Sequence, residues 1–159
     1  MGRWHTDFLI VLGFLQRHLV RELKIVDGDP VLGMVISEIW LYNITRTLAR
    51  DGEIPAPTAL SDETRRNRFA TCNTYSVAQS LGVPPQTVRR KVQILIDKGW
   101  VEKTPKGQLL VTATCEEAFH THTTLETMRD FVSSARTLFG HMGLDPKLQV
   151  ASRPIAHAA

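Results

Sequence analysis

The sequence predicts a mainly helical protein with one small β-hairpin, and three features carry that prediction. Apolar residues recur at helical spacing over residues 4–25, 31–49 and 116–138. Two short β-prone runs, WVEK and QLLVT, flank the turn TPKG. Glycine and proline punctuate the chain at 27–30, 51–60 and 82–85, which divides it into helical pieces joined by turns.

Taken in order, residues Trp4 to Ile25 place Phe8, Val11, Leu12, Leu15, Leu19 and Leu23 on one face, with Gly13 as the one weak helical position. The turn DGDP at 27–30 has a glycine for a positive backbone angle and a proline suited to a helix start. A second helix over Val31 to Ala49 carries Leu32, Val35, Ile36, Ile39, Trp40, Asn43 and Leu48 on or near one broad stripe. Two helices joined so tightly predict a hairpin whose second member is central and covered by other elements. DGEIPAPTAL, residues 51–60, reads as a loop, and Ser61 followed by Asp62 and Glu63 reads as the capped start of a short helix. Asn73 or Thr74 caps the next helix, whose core face is Val77, Ala78 and Leu81, and Gly82 supplies the left-handed residue that ends it.

Pro84 and Pro85 then open a helix whose inward stripe is Val88, Val92 and Leu95, with Ile96 beside it. Its other side carries Gln86, Arg90, Gln93 and Asp97, flanked by Thr87, Arg89 and Lys91. These are residue types that read nucleic acid: arginine forks onto guanine or phosphate, glutamine pairs with adenine, and threonine reaches a base edge or a backbone oxygen. Lys103 and Lys106 near the hairpin tip are placed to meet phosphates. By charge alone, Arg89, Arg90 and Lys91 are equally well read as a solvated helix face. Beyond the hairpin, Ala118, Leu125, Met128, Phe131, Val132, Ala135 and Leu138 predict one further helix over 116–138, and the tail from Pro146 reads as frayed.

The charge distribution sharpens this. The 159 residues carry a formal net charge of +3, yet Pro84 to Lys106 hold six cations against Asp97 and Glu102, a net +4 in that segment alone. From Ala113 to Asp145 two arginines face five acids, a net −3, so that part is expected to avoid phosphate. Two cysteines, Cys72 and Cys115, cannot build a disulfide framework, and Cys72 reads as a small apolar filler. No secretory leader pattern is present and the longest apolar run, Phe8 to Leu15, is far short of a membrane span; a soluble, cytoplasmic chain is expected. Glu116, His120, His122 and Cys115 do not complete a tetrahedral metal set, and no nucleophile elbow, phosphate-binding glycine loop or zinc-protease motif occurs, so no metal, cofactor or catalysis is expected. The aromatics Trp4, Phe8, Phe14, Trp40 and Tyr42 read as core, or as the lining of an effector pocket whose ligand the sequence does not name.

The string SVAQSLGVPPQTVRRKVQILIDKGWVEKTPKGQLLV resembles the winged helix-turn-helix domain of bacterial transcription regulators. Ala78, Leu81, Gly82, Val83, Thr87, Val88, Arg90, Leu95, Gly99, Trp100 and Val101 match its recurring pattern over about residues 74–112. Pro84 departs from it, standing where such regulators often place a serine or threonine cap. The resemblance implies a winged helix-turn-helix domain at 61–112, an N-terminal helical hairpin and loop at 1–60, a C-terminal helix at 113–145 that serves dimerisation or, in the alternative, folds back on its own domain, and a flexible tail at 146–159. It further implies a homodimer that binds double-stranded DNA in a sequence-specific way. In that reading Gln86, Thr87, Arg89 and Arg90 lie at the major groove, Lys91, Lys103 and Lys106 lie on phosphates, and Gln93 belongs to the same DNA-binding set. Because winged helices also serve as protein-interaction modules, an adaptor without DNA binding is the alternative expectation.

Overall fold

A computed structural model of the chain describes residues 3–52, 61–119 and 124–144. Along these the elements run α1 (Arg3–Ile25), α2 (Pro30–Asp51), α3 (Asp62–Arg68), α4 (Thr74–Leu81), α5 (Pro85–Asp97), β1 (Val101–Lys103), β2 (Leu109–Val111), α6 (Ala113–Phe119) and α7 (Leu125–Met142). The fold is therefore mainly helical with a two-stranded antiparallel hairpin. The expected loop at 53–60 and the expected tail from 146 lie outside the described residues. No described helix is long and apolar enough to cross a membrane.

The chain divides into two compact units, residues 19–124 and the pairing of Met1–His18 with Leu125–Ala159. The larger unit is organised around α2. Asp29 caps that helix by accepting a hydrogen bond from the Leu32 amide, Pro30 occupies its first turn, and Gly28 takes the positive φ of 78° that the preceding turn requires. Leu32, Val35, Ile36 and Ile39 are buried, and they share one core with Val77 and Ala78 of α4, Val88, Val92 and Leu95 of α5, and Val101, Leu109 and Val111 of the hairpin. The boundary expected at residue 61 falls inside this unit, because α2 forms the floor on which α4, α5 and the hairpin rest.

Farther along α2 the buried positions are polar. Asn43 and Thr47 are both 0% exposed, while Trp40 and Leu48, expected on the same stripe, are 38% and 43% exposed. Hydrogen bonding accounts for the exchange. The Asn43 amide nitrogen donates to the carbonyls of Ala70 at 2.7 Å and Leu109 at 3.3 Å, and its carbonyl oxygen accepts from the Val111 amide at 3.0 Å. The Thr47 hydroxyl donates to the Asn43 carbonyl at 2.6 Å and accepts from the Ala70 amide at 3.0 Å. A short bridge between Cys72 and Leu109 completes the edge of the hairpin on that side.

Two further expectations are corrected. The apolar stripe of α1 is open: Phe8, Val11, Leu12, Leu15 and Leu19 are 40–58% exposed, while Leu23 and Ile25 pack against the α2-centred core. The predicted single helix over 116–138 is two helices, α6 and α7, with residues 120–123 between them outside the description. α6 belongs to the larger unit, where Cys115 is buried and Phe119 meets Trp100 edge to face at 5.6 Å. Of the five aromatics, Trp4, Phe8 and Phe14 lie in the smaller unit and Trp40 and Tyr42 in the larger.

Replacement of Asn43 by alanine removes three hydrogen bonds and strands the buried Val111 amide and the partly buried Ala70 carbonyl, while the Leu109 carbonyl keeps the Cys72 amide. Urea unfolding is expected to show a loss of about 3 kcal/mol, as unmet buried groups cost ~1–3 kcal/mol each with partial relaxation.

Candidate nucleic-acid interface

Local sequence sets each helix of the 73–97 segment. The Asn73 side chain accepts from the Ser76 amide at 2.9 Å while the Ser76 hydroxyl engages the Asn73 backbone amide, a reciprocal cap that starts α4. Gly82, at φ 62°, ends α4, and the Val83 amide donates back to Ala78 at 3.1 Å. Pro84 then stands at the N-cap of α5 with no side-chain hydrogen bond, and Pro85 fills the first helical position. The Thr87 amide turns to the Pro84 carbonyl at 2.9 Å, so the two prolines and this bond leave the Gln86 amide as the open donor of the first turn among the described residues.

Which side chains of α5 face outward follows from the burial of its inner stripe. Val88, Val92 and Leu95 are at most 1% exposed, which fixes the rotation of the helix. Gln86, Arg89, Arg90 and Gln93 consequently face solvent, and Thr87 is half-buried. Arg89 and Arg90 make no ion pair among the described residues, so their charge is open to a ligand. Gln93 donates to Asp97 at 2.9 Å, one turn along the same helix.

Lys91 is placed differently from the expectation. Its side chain is only 12% exposed and its ammonium pairs with Asp29, the residue that caps α2. The paired Lys91 holds the Asp29 carboxyl below its ordinary titration range, assisted by the amide bonds at the helix start and opposed by partial burial. Lys91 therefore ties α5 to the start of α2 and drops out of the set of cations free to meet phosphate. Lys98 makes a parallel tie, with its ammonium 2.8 Å from Asp27 and 5.1 Å from the Trp100 ring centre.

The hairpin pairs Val101 with Val111, Glu102 with Leu110 and Lys103 with Leu109. Its turn closes with the Gly107 amide donating to Thr104 at 2.8 Å and the Thr104 amide donating to Gln108 at 2.8 Å. Lys103 and Lys106 are exposed and without an ion pair among the described residues. Sequence reasoning missed Arg66, whose guanidinium forks onto Glu102 with both contacts at 2.8 Å. That pair neutralises the acid beside Lys103, and the carboxylate raises the Arg66 pKa further. No local signal announces a pairing across 36 residues.

Nothing in the site has the marks of a nucleophile or metal ligand. Cys72 and Cys115 are buried free thiols, each pushed up to about 12 chiefly by that burial, with a nearby carboxylate adding to it. Among the described residues no group of three or more histidine, cysteine or acidic side chains is placed to hold a metal ion. His120 and His122 lie outside them. Comparison with protein-family models, curated proteins and solved structures finds no match.

Two expected outcomes follow from these environments. Asp29 has a depressed folded-state pKa, so the Lys91 pair contributes stability in full above about pH 4 and loses it as pH falls further. The stability gap between wild type and D29N, followed by chemical unfolding from pH 7 to pH 2, is expected to be widest at neutrality and to close on the acid side. A thiol reagent at pH 8 is expected to label neither cysteine at a free-thiol rate in the folded protein and both once it is unfolded.

Proposed function

We propose that the chain is a winged helix-turn-helix transcription regulator that binds double-stranded DNA as a homodimer. In this reading α4, the Gly82 turn and α5 are the helix-turn-helix, α5 is the recognition helix, and the β1–β2 hairpin is the wing. The observation that carries it is the pair Arg89 and Arg90, exposed and un-neutralised on the flank and outer face of α5, away from a fully buried Val88, Val92 and Leu95 stripe. A helix held so firmly along one side and cationic along the other suits insertion into a groove about as wide as a helix. Gln86, Thr87 and Gln93 supply the neutral donors and acceptors for base edges, and Gln93 does so by exchanging its bond to Asp97 for one to DNA.

Lys103 and Lys106 at the wing sit on phosphates beside the groove that α5 enters. Lys91 supports the recognition helix through Asp29 and contributes orientation to binding. The role of the chain is binding without turnover, and the salt dependence of binding reports its phosphate contacts through released counterions.

Substitution of Arg90 by alanine is expected to weaken binding to the preferred duplex by about 1–3 kcal/mol while leaving thermal unfolding unchanged. The double change of Lys103 and Lys106 to alanine is expected to lower affinity for all duplexes alike and to flatten the log–log salt slope by roughly 2. Both are read by fluorescence anisotropy with duplexes recovered from a genomic pull-down. Absence of duplex binding at low salt overturns the regulator reading in favour of an adaptor that docks this face on an acidic protein.

A further inference from the structure

The smaller unit is an antiparallel pair of helices. Asp7 meets the His141 ring at 2.7 Å, Arg17 meets Asp130 at 3.1 Å, and the Phe14 and Phe131 rings meet edge to face at 5.6 Å, so α1 ascends as α7 descends. The line of α1 turned toward α7 runs through Asp7, Ile10 and Phe14, and the line of α7 turned toward α1 runs through Asp130, Ser134 and His141, all of them at least partly buried.

Neither line takes up the apolar stripe of its helix. Trp4, Phe8 and Leu15 are 63%, 58% and 45% exposed, and Met128, Val132 and Met142 are 56%, 42% and 63% exposed. At about 100° per residue, the α1 stripe lies roughly 100° around the helix from its contact line, and the α7 stripe roughly 120° around from its own, both in the same rotational sense. Because the helices run in opposite directions, equal rotations in one sense carry both stripes to the same side of the pair. The two stripes thus form one continuous apolar face, and the far side carries Glu126, Ser133 and Thr137. No residue of α7 is buried.

We infer that this face is covered by the same face of a second copy, two helical pairs closing into a four-helix bundle. This rests on the homodimeric reading above and gives it a location. Two arguments select a second copy as the occupant. The apolar area these six residues expose is on the order of 700 Å² per chain, more than the roughly 300–600 Å² of the largest patch on a typical monomer and near the roughly 800 Å² per partner of a standard interface. In addition, the six stripe residues carry no charge, and Arg129 and Arg136 stand at the border of the face beside Val132, so its centre meets no like-charge opposition when a two-fold axis sets it against itself. Two-helix layers packed in this way bury both stripes as the core of a bundle.

The test is sedimentation equilibrium of the full chain without DNA, which separates this inference from the DNA-binding reading. The wild type is expected at twice the 17.9 kDa of one chain in the micromolar range. L15E and V132E each place a charge in the covered face and are expected to weaken the dimer by at least about 100-fold, with helix content by circular dichroism retained. S133E, on the far side of α7, is expected to leave the dimer unchanged. A monomeric wild type at tens of micromolar overturns the inference, as does a dimer that L15E and V132E leave intact. A wild type that dimerises through this face yet ignores DNA keeps the inference and removes the regulator reading instead.

Discussion

The side chain of Asn43 is where the larger unit is joined. A primary amide has two donors and an acceptor, and here they are spent on the Ala70 and Leu109 carbonyls and the Val111 amide, which belong to segments on either side of α4 and α5 in the sequence. Fully buried and fully paired, such a group costs little to desolvate and fixes geometry more sharply than a methyl contact, because hydrogen bonds are directional. Thr47 repeats the device one turn later. The position of β2 relative to α2 is therefore set by distances near 3 Å, and Lys103 and Lys106 inherit their placement from it.

The opposite end of α2 is joined to α5 by charge. Asp29 has two duties, since one carboxylate oxygen caps α2 through the Leu32 amide and the other receives Lys91. Lys98 and Asp27 add a second tie from the same turn. The middle and the C-terminal end of α5 are thus referenced to the turn that begins α2, while the apolar stripe supplies the burial. The buried stripe sets the rotation of α5 and these ties reinforce it, so the outward direction of Arg89 and Arg90 is determined.

Much of this was legible locally. Ser61, Asn73, Gly82 and the two prolines mark helix ends because each supplies a backbone conformation or a cap that few other residues supply, and the structure has them in those roles. The inward stripe of α5 and the hairpin around TPKG follow from periods of 3.6 and 2. What the sequence hid are pairings between distant positions. Lys91 lies at the border of the α5 stripe, three residues after Val88, where a long aliphatic stem serves either solvent or core, and only Asp29 decides the matter. The exposure of the α1 stripe was equally hidden, because an amphipathic pattern states that a helix wants a partner without stating whether the partner is in the same chain. Asn43 was visible only as a polar residue within an apolar stripe.

The proline pair has a consequence for the kind of grip this end of α5 can exert. A helix start ordinarily presents several amides that converge on an anion and hold it by direction as much as by charge. Here two of those donors are deleted and a third is turned back to Pro84, so Gln86 alone offers its main chain. If this face binds DNA as proposed, its hold on phosphate resides in side chains that rotate and reach, and the main chain contributes a stiff ledge with φ fixed at two successive residues. On that reading the ledge tolerates sliding: a phosphate could pass along it from one guanidinium to the next without breaking a set of converging bonds, as a lateral search along a polyanion requires.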